Sequence, residues 1–311
     1  MFYLKTVKNR DKITHFFSKK QHFATKTTIF RAFYHANFTF FQSLFCRPTT
    51  LSRQNICIIQ YFFVPLQSME NEKQHIGEEK QHIGQLFDRI AGTYDGLNHL
   101  LSLNIDRRWR RKAVGKLAEV RNQKSDISLL DVAIGTADLT IELLRQGKAE
   151  HVTGIDLSRQ MMAIGQKKVA QHGYSERVRF DYGSAQQMPY ADESFDIVTC
   201  AYGVRNFANM DEGLSEMYRV LRPGGELMIL EFSYPTNPLI RCGYDLYFTH
   251  ILPFIGNLFS RDKGAYSYLN RSVKNFPYGE AFCEHLRAAG FTQIKATTLT
   301  FGISTVYTAE K

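Results

Sequence analysis

The sequence predicts an α/β protein built on a mostly parallel sheet, and three observations support this prediction. Residues 129–144 read LLDVAIGTADLTIELL, in which an apolar run breaks into a turn of small residues and resumes at helical spacing. Residues 151–158 form a second short apolar run that closes with an acid, Asp156. Apolar runs and helical patterns then alternate to the end of the chain. Such alternation indicates a parallel sheet that binds ligands at the carboxyl ends of its strands.

The turn after the first predicted strand indicates a ligand site, because it brings backbone N–H groups to a helix N-terminus. Dinucleotide loops use the pattern G-x-G-x-x-G, but here Gly135 is the one glycine and the acids Asp131 and Asp138 flank it. These acids would repel a pyrophosphate and suit the ammonium and sulfonium of S-adenosylmethionine. Asp156, at the end of the second strand, is placed to accept hydrogen bonds from ribose hydroxyls. An ordinary turn without a ligand remains the alternative.

The other elements follow from the same patterns. A polar helix is predicted within residues 70–92, where Phe87 and Ile90 would pack. After the second strand we expect, in order, a helix at 158–171, a third strand at 178–182 with the loop 183–185, a fourth strand at 195–200, a helix ending at Arg222, a Pro-Gly-Gly turn with a fifth strand, a helix within 278–291 and two terminal strands paired as a hairpin.

Residues 1–68 differ from the rest in composition. They hold half of the 24 phenylalanines, ten Lys or Arg and a single Asp. A mitochondrial-type targeting segment is one interpretation. A membrane anchor is another, although the apolar stretch 56–66 is interrupted by Gln60 and is too short to span a bilayer. The interpretation we favour is a non-native extension, with Met69 as the true start. The predicted organisation is therefore this extension and one domain over 69–311.

Charge and cysteine usage narrow the function classes. The formal net charge of +9 resides in the extension, so residues 69–311 carry 29 charges of each sign. A neutral domain lacks the basic balance that attracts nucleic acid. The five cysteines show no C-x-x-C pair and no metal-ligand spacing. They indicate reduced thiols in a cytosol-like compartment, and no metal is expected.

Two further stretches suggest surfaces. Four arginines, at 107, 108, 110 and 111, surround the single tryptophan, Trp109. They form either a solvated helix face or a contact with anionic lipid head groups. Residues 236–276 are rich in aromatic side chains and include LPFIGNLF at 252–259, which is amphipathic. This stretch would either roof the site and dip into a membrane surface or pack as an ordinary helical lid.

Three motifs resemble one family. The signature Y-D-x-M-N-x-x-[apolar]-S-x-x-x-H-x-x-W is matched over 94–109, with Leu97 in place of Met and Asp106 in place of His. The signature R-V-[LI]-K-P-G-G…E-x-S is matched from Arg219 to Ser233, with Arg222 for Lys. DVAIGTAD resembles the methyl-donor loop of the family, with Ala137 for the usual glycine, and YGVRN at 202–206 resembles its motif after strand four. The chain thus resembles the menaquinone/ubiquinone biosynthesis C-methyltransferases over about residues 80–311.

The resemblance implies a class I S-adenosylmethionine-dependent methyltransferase, with a Rossmann-like sheet and a C-terminal antiparallel hairpin. It implies methyl transfer to a ring carbon of demethylmenaquinol, the last step of menaquinone biosynthesis. A ubiquinone-pathway C-methyltransferase is one alternative. Others are a methyltransferase of RNA or protein on the same fold, and a non-catalytic donor-binding partner in a quinone-synthesis complex. The expected location is cytoplasmic, with peripheral contact at the inner face of the membrane, or mitochondrial if residues 1–68 are a targeting segment. A homo-oligomer is left open.

The resemblance and the residues together give a candidate site. By resemblance, the donor contacts Thr136, Asp156, Ser184 and Ala185, and the residues themselves add Gly135, for close backbone approach, and Asp131, facing the ammonium. The catalytic candidates follow strand four or lie in the first signature: Arg205, Asn206, Tyr202, Tyr94 and His99. A structural ion pair is the alternative for Arg205, and a capping or surface role is the alternative for His99.

Overall fold

The computed structural model describes residues 82–117, 127–247 and 263–311. The predicted extension 1–68, the first part of the polar helix and the amphipathic stretch 252–259 lie outside the described residues. Within the described ranges, no helix is both long enough and apolar enough to cross a bilayer.

Seven strands form one sheet. They are β1 Ser128–Val132, β2 His151–Asp156, β3 Val178–Tyr182, β4 Phe195–Ala201, β5 Leu221–Phe232, β6 Thr292–Leu299 and β7 Ser304–Glu310. Their order in the sheet is β3-β2-β1-β4-β5-β7-β6. The first five strands pair in parallel, and β7 runs antiparallel to both β5 and β6. The predicted mostly parallel sheet and its C-terminal hairpin are therefore confirmed.

Helices cover both faces of this sheet. They are α1 Ile83–Leu101, α2 Ile105–Val114, α3 Asp138–Arg145, α4 Arg159–Gln171, α5 Met210–Val220, α6 Pro238–Leu246, α7 Lys263–Asn275 and α8 Glu280–Ala288. Side chains alternate along each strand, so Leu227 and Ile229 of β5 belong to one apolar cluster while Met228 and Leu230 belong to another. The first cluster contains residues of α5 and α8, and the second contains residues of α2 and α3.

One predicted boundary was wrong. The helix expected to end at Arg222 ends at Val220, and β5 begins at Leu221, which pairs with Phe195 of β4. Arg222 donates from Nη1 to Asp196 Oδ2 at 2.6 Å, which holds this part of the chain against β4. The tertiary contact with β4 thus ends the helix earlier than the apolar pattern indicates.

The strand order places the site. Because β1 to β4 are parallel, the loops that follow them emerge at one edge of the sheet. Strand order reverses between β1 and β4, since β2 and β3 follow on one side of β1 and β5 follows on the far side of β4. The loop 133–137 after β1 and the turn Val204–Asn206 after β4 lie at this switch point. Open α/β sheets bind their ligands in such a crevice.

Candidate functional site

Two cavities meet at the carboxyl edge of the sheet. The first, called here the loop cavity, has a volume of about 360 Å³ and is lined by the loops that follow β1, β2, β3 and β4. The second, called the apolar cavity, has a volume of about 450 Å³ and lies among α1, α2, α6, α7 and the turn between β6 and β7. Phe87, Tyr94 and Tyr202 line both cavities, so the two spaces adjoin at these rings.

Asp156 supplies the carboxylate of the loop cavity. Its Oδ2 accepts a hydrogen bond from the Gly135 N–H at 2.8 Å, and its Oδ1 accepts one from the Ser158 N–H at 2.8 Å. A carboxylate has about four acceptor positions, so each oxygen keeps capacity for a ligand hydroxyl. Burial raises the pKa of Asp156, and the two backbone N–H groups oppose that effect.

The loop after β1 has a left-handed backbone at alternate residues. Ala133, Gly135 and Ala137 have φ values of 56°, 54° and 64°. Only glycine adopts this region without steric cost, so the two alanines are strained positions. The winding directs the Gly135 N–H at Asp156 and lets the chain pass close to the cavity.

Ser184 and Ala185 line the loop cavity from the end of β3. Ser184 accepts a hydrogen bond at Oγ from the Gln186 N–H at 3.2 Å, and it forms an isolated bridge with Gln187. These bonds hold the segment as a compact turn. With Gly135 and Asp156, four of the six residues predicted to contact the donor lie around one cavity.

The structure does not bring Asp131 and Thr136 to that cavity lining. Asp131 is buried inside the sheet, where it accepts hydrogen bonds from the hydroxyls of Thr140, at 2.6 Å, and Thr199, at 2.9 Å. Thr136 points the other way and donates to Asp95 Oδ1 at 2.6 Å. Burial raises the pKa of Asp131 to about 7. Its hydroxyl partners account for its position, because a buried carboxylate needs them.

The apolar cavity is walled by the aromatic part of the chain. Tyr244 lines it from α6, Tyr247 from the residue after that helix, Tyr268 from α7 and Trp109 from α2. The indole N–H of Trp109 donates to the hydroxyl of Thr300 at 2.7 Å, which fixes α2 to the turn after β6. These residues place the described part of the stretch 236–276 over a cavity, as predicted for a roof.

Arg205 reaches this cavity from the turn after β4. Its Nη1 donates to Glu231 Oε1 at 2.7 Å and to the carbonyl of Tyr202 at 2.6 Å. Its Nε is buried and has no hydrogen-bond partner among the described residues. Burial lowers the pKa of the guanidinium, but Glu231, Tyr94 and Tyr268 together outweigh burial and the pKa is raised overall. Arg205 therefore stays charged, and its Nε–H is available as a donor.

Asn206 and Tyr202 join the two cavities. The Asn206 carboxamide accepts from the hydroxyl of Tyr268 at 3.0 Å and donates to the carbonyl of Tyr202 at 3.2 Å. Tyr202 has a left-handed backbone, with φ of 58°, and its ring packs on Phe232 at 4.6 Å between centroids. Burial raises the pKa of both Tyr202 and Tyr94. The candidates Tyr94, Tyr202, Arg205 and Asn206 thus lie together at the junction.

His99 lies apart from these four, in a network of charges. Its Nδ1 is 2.7 Å from Asp106 Oδ2, and its Nε2 is 3.6 Å from Asp138 Oδ2. Arg110 bonds to both carboxylates, at 2.5 and 2.8 Å, and Lys168 also pairs with Asp138. Both ring nitrogens of His99 therefore face carboxylates and not the junction of the two cavities.

The same network occupies the ligand atoms of a potential metal cluster. His99, Asp106 and Asp138 each offer one ligand atom within 4.8 Å of the others. Burial raises the pKa of Asp106, but Arg110, Ser102 and His99 together outweigh this effect and the pKa is lowered overall. Arginine and lysine therefore already neutralise these carboxylates. The predicted basic cluster is therefore divided. Arg110 is buried in this charge network, whereas Arg107, Arg108 and Arg111 are exposed to solvent.

The sequence did not single out Glu231, Phe87 or Tyr268 for the site. Glu231 is fully buried in β5, 26 residues from the arginine it holds. The E-x-S end of the second signature contained this residue, but its partner could not be read from a local pattern. Tyr268 is 62 residues from its partner Asn206.

The loop cavity fits an S-adenosyl group. It has a carboxylate with spare acceptor capacity for a diol, apolar side chains such as Ile155 and Met161, and close backbone at Gly135 and Gly183. A β-carbon on Gly183 would lie 2.9 Å from Ile155 Cδ1, which shows how closely the chain approaches there. Its volume lies in the range of small-ligand sites.

Comparison with known proteins decides the family. The ubiE/COQ5 methyltransferase family matches residues 73–311. The chain belongs to this family. Its relatives include the demethylmenaquinone methyltransferase of Bacteroides fragilis, 44% identical over 226 residues, which cover 73% of this chain and 91% of the relative. They also include the ubiquinone/menaquinone biosynthesis C-methyltransferase UbiE of Geobacter sulfurreducens, 41% identical over 252 residues, or 81% of this chain and 96% of the relative.

Solved structures share the fold of this ubiE/COQ5 family member. A methyltransferase from Thermotoga maritima, described as dependent on S-adenosylmethionine, aligns with a TM-score of 0.52 at 18% identity over 74% of this chain and 100% of that one. The [4+2]-cyclase SpnF aligns with a TM-score of 0.53 at 19% identity over 75% and 96%. Such identities show the fold alone, and a cyclase on this fold illustrates that fold does not fix chemistry.

These comparisons confirm several predictions. The chain is a methyltransferase of the ubiE/COQ5 family with the α/β fold that the sequence predicted. S-adenosylmethionine is the methyl donor of this class of enzyme, and the loop cavity has the chemistry to hold it.

Proposed function

We propose that the chain transfers a methyl group from S-adenosylmethionine to a ring carbon of demethylmenaquinol, giving menaquinol. The observation that carries the proposal is the junction of the two cavities at Phe87, Tyr94 and Tyr202. A donor in the loop cavity and a flat ring in the apolar cavity would meet there. Relatives named demethylmenaquinone methyltransferase and relatives named ubiquinone/menaquinone biosynthesis C-methyltransferase both support a quinol acceptor, and demethylmenaquinol is consistent with both names.

The apolar cavity suits a prenylated quinol. Isoprenoid chains need an apolar channel, and the aromatic and aliphatic side chains of α1, α6 and α7 supply one. A quinol ring also carries two hydroxyl groups, which need polar partners when they leave water. Arg205, with its unpartnered Nε, and the Tyr94 hydroxyl are the polar groups at the end nearest the loop cavity.

S-adenosylmethionine supplies an electrophilic methyl group on a sulfonium and leaves as S-adenosylhomocysteine. The protein must make the ring carbon nucleophilic, which requires a hydroxyl of the quinol to lose its proton. Arg205 is charged and buried, so its guanidinium stabilises the resulting phenolate. Arg205 cannot itself take the proton, because Glu231 holds it in the protonated state. After the C–C bond forms, the ring carbon releases its hydrogen as a proton and the ring becomes aromatic again. The phenolate oxygen then takes a proton back, so one proton is lost overall.

Tyr94, Tyr202 and Asn206 hold this geometry. The two tyrosine rings confine both ligands at the junction and exclude water from it. Asn206 fixes Tyr268 on the acceptor side while it lines the donor side. Positioning of this kind accounts for a large part of the rate in a two-substrate transfer.

We further propose peripheral contact with the cytoplasmic face of a membrane. Three apolar side chains next to or within the lining of the apolar cavity are exposed: Leu103, Leu239 and Phe301 are 78%, 83% and 76% accessible. Leu103 and Phe301 lie on left-handed turns, with φ of 52° and 57°, and Arg107 and Arg108 stand nearby in sequence. A lipid surface would cover such a rim and attract the arginines.

The function is tested with the full chain, radiolabelled donor and demethylmenaquinol kept reduced. Label in menaquinol, absent with the oxidised quinone, is the expected result. Label transferred only to the demethylated ubiquinol precursor would change the acceptor. Donor binding without transfer to either quinol would contradict the proposed chemistry. Flotation with anionic and neutral liposomes tests the membrane contact, and a Leu103→Ser, Phe301→Ser double variant should float less.

A further inference from the structure

Helix α1 carries an aromatic residue followed by an aspartate twice, at Phe87-Asp88 and Tyr94-Asp95. The pairs are seven residues apart, close to two helical turns, so like residues project from the same side of the helix. The Phe87 and Tyr94 rings meet edge to face with centroids 5.8 Å apart. Because both rings line both cavities, α1 contributes this aromatic pair to the wall at their junction.

Asp88 binds the segment that follows β2. Its Oδ1 accepts from the Ser158 hydroxyl at 2.5 Å and from the Gln160 N–H at 3.1 Å. Ser158 also donates its backbone N–H to Asp156 and caps α4 by accepting from the Met161 N–H. Asp88 is therefore linked through Ser158 to Asp156, the carboxylate of the loop cavity.

Asp95 binds the segment that follows β1. Its Oδ1 accepts from the Thr136 hydroxyl at 2.6 Å, and its Oδ2 accepts from the Lys168 ammonium at 2.7 Å. Lys168 also pairs with Asp138, at the start of α3. Thr136 directly follows Gly135, whose N–H donates to Asp156. The second aspartate is therefore also tied to the donor loop, through a buried threonine.

We propose that Asp88 and Asp95 are positioning residues that couple the two donor loops to the aromatic pair Phe87–Tyr94. A donor that orders the loops orders α1 through these two carboxylates, and the aromatic pair then forms a fixed wall for the acceptor ring. The proposal rests on the proposed function for the identity of the acceptor. Asp95 belongs to the first signature, but the signature assigns it no contact, and Asp88 lies outside both signatures. By linkage, each ligand then raises the affinity for the other by the same factor.

The coupling is measured by calorimetry on the full chain. The probes are S-adenosylhomocysteine and a naphthoquinone with a short prenyl chain, each titrated with and without the other. In the wild type we expect S-adenosylhomocysteine to tighten naphthoquinone binding by about fivefold or more. Asp88→Ala and Asp95→Ala, which remove the accepting oxygens, should each reduce this factor towards one. Thr136→Val should behave like Asp95→Ala, whereas Thr136→Ser, which keeps the hydroxyl, should retain the coupling.

Asp192→Ala is the matched control, since Asp192 forms an exposed ion pair with Arg219 away from both cavities. It should leave the coupling factor unchanged. If Asp95 had only a structural role, its loss would lower the melting temperature and the affinities for both ligands, but the coupling factor would not change. That result, or wild-type coupling in both aspartate variants, would overturn the proposal.

Hydrogen exchange supplies a readout that needs no acceptor. S-adenosylhomocysteine should slow amide exchange within Ile83–Leu101 of the wild type. In Asp88→Ala and Asp95→Ala it should slow exchange in the loops after β1 and β2 but not in α1. Equal protection of α1 in wild type and variants would overturn the coupling. If the wild type binds no naphthoquinone, the proposed acceptor fails, and the exchange result still decides the coupling.

Discussion

Arg205 and Glu231 form an ion pair closed to solvent, with side chains 5% and 0% exposed and 2.7 Å between Nη1 and Oε1. Glu231 also accepts from the backbone N–H groups of Arg205, at 3.2 Å, and Phe232, at 2.8 Å. These bonds hold a guanidinium in a cavity wall without using its Nε. A buried ion pair often adds little to the free energy of unfolding. The position of this pair beside the apolar cavity therefore indicates a chemical role.

Arg205→Lys tests that role. Lysine keeps a charge for Glu231 but lacks the Nε donor and the rigid planar head. We expect turnover at saturating quinol to fall about 100-fold, the scale of losing one oxyanion-stabilising donor. Arg205→Ala should instead destabilise the fold by about 3–5 kcal/mol, since it leaves Glu231 charged and unpaired. Turnover of the lysine variant within threefold of the wild type would contradict the assignment.

Asp156→Asn should weaken donor binding. A hydrogen bond to a charged group contributes about 1.5–3 kcal/mol, so affinity for S-adenosylhomocysteine should fall by at least about tenfold. Calorimetry measures the change. Asp181→Asn is the control, because Asp181 lies near the end of the neighbouring strand β3 and bonds to Arg179 and Tyr190. Equal losses in the two variants would show that the donor does not use Asp156.

Asp131 should make stability depend on pH. Burial raises its pKa in the folded state to about 7, above the unfolded value of 3.8. The folded state therefore binds the proton more tightly, and the contribution of Asp131 is complete below pH 4 and is lost as pH rises towards 7. At about 1.36 kcal/mol per unit, the wild type should lose about 2–3 kcal/mol between pH 5 and pH 8 relative to Asp131→Asn.

Urea unfolding of both proteins at the two pH values measures this loss, and the comparison with the asparagine variant isolates Asp131 from the other titrating groups. Thr140 and Thr199 can bond to a carboxamide as well as to a carboxyl group, so the variant should fold. A pH-independent difference between the two proteins would show that Asp131 titrates normally.

Ala137→Gly tests the backbone strain in the donor loop. Ala137 has φ of 64°, which costs an alanine about 1–2 kcal/mol. Glycine removes this cost but adds about 0.4–1 kcal/mol of unfolded-state entropy. The variant should therefore be as stable as the wild type or more stable by up to about 1 kcal/mol, measured by urea unfolding. Ala113→Gly, at a buried position in α2, should be destabilising and serves as the contrast.

The sheet could be read from the sequence because strand and helix periods are local. The third strand was predicted at 178–182 and lies at Val178–Tyr182. The donor loop was also predictable, since a tight turn between β1 and α3 must place its N–H groups near the strand ends. The end of α5 was misplaced by two residues, because pairing of Leu221 with Phe195 overrides the helical pattern.

The site residues likewise divide into those whose position the sequence predicted and those whose contacts it did not. Gly135, Asp156, Ser184 and Ala185 follow strand ends, and parallel strands gather their ends at one edge. Asp131 and Thr136 belong to the same loop but face other partners, and side-chain direction within a turn cannot be read from spacing. His99 was chosen for its chemistry, yet Asp106 and Asp138 enclose it.

The sequence by itself determined the α/β sheet, the donor loop and the family, because hydrophobic period, turn residues and motif spacing are properties of short segments. Only the tertiary structure decided that Arg205 is held by Glu231, that Asp95 is tied to Thr136, and that two cavities adjoin at Phe87 and Tyr94. Each of these relationships joins segments far apart in the chain. They arise when buried charges and hydroxyls find partners during packing, and no local pattern encodes that choice.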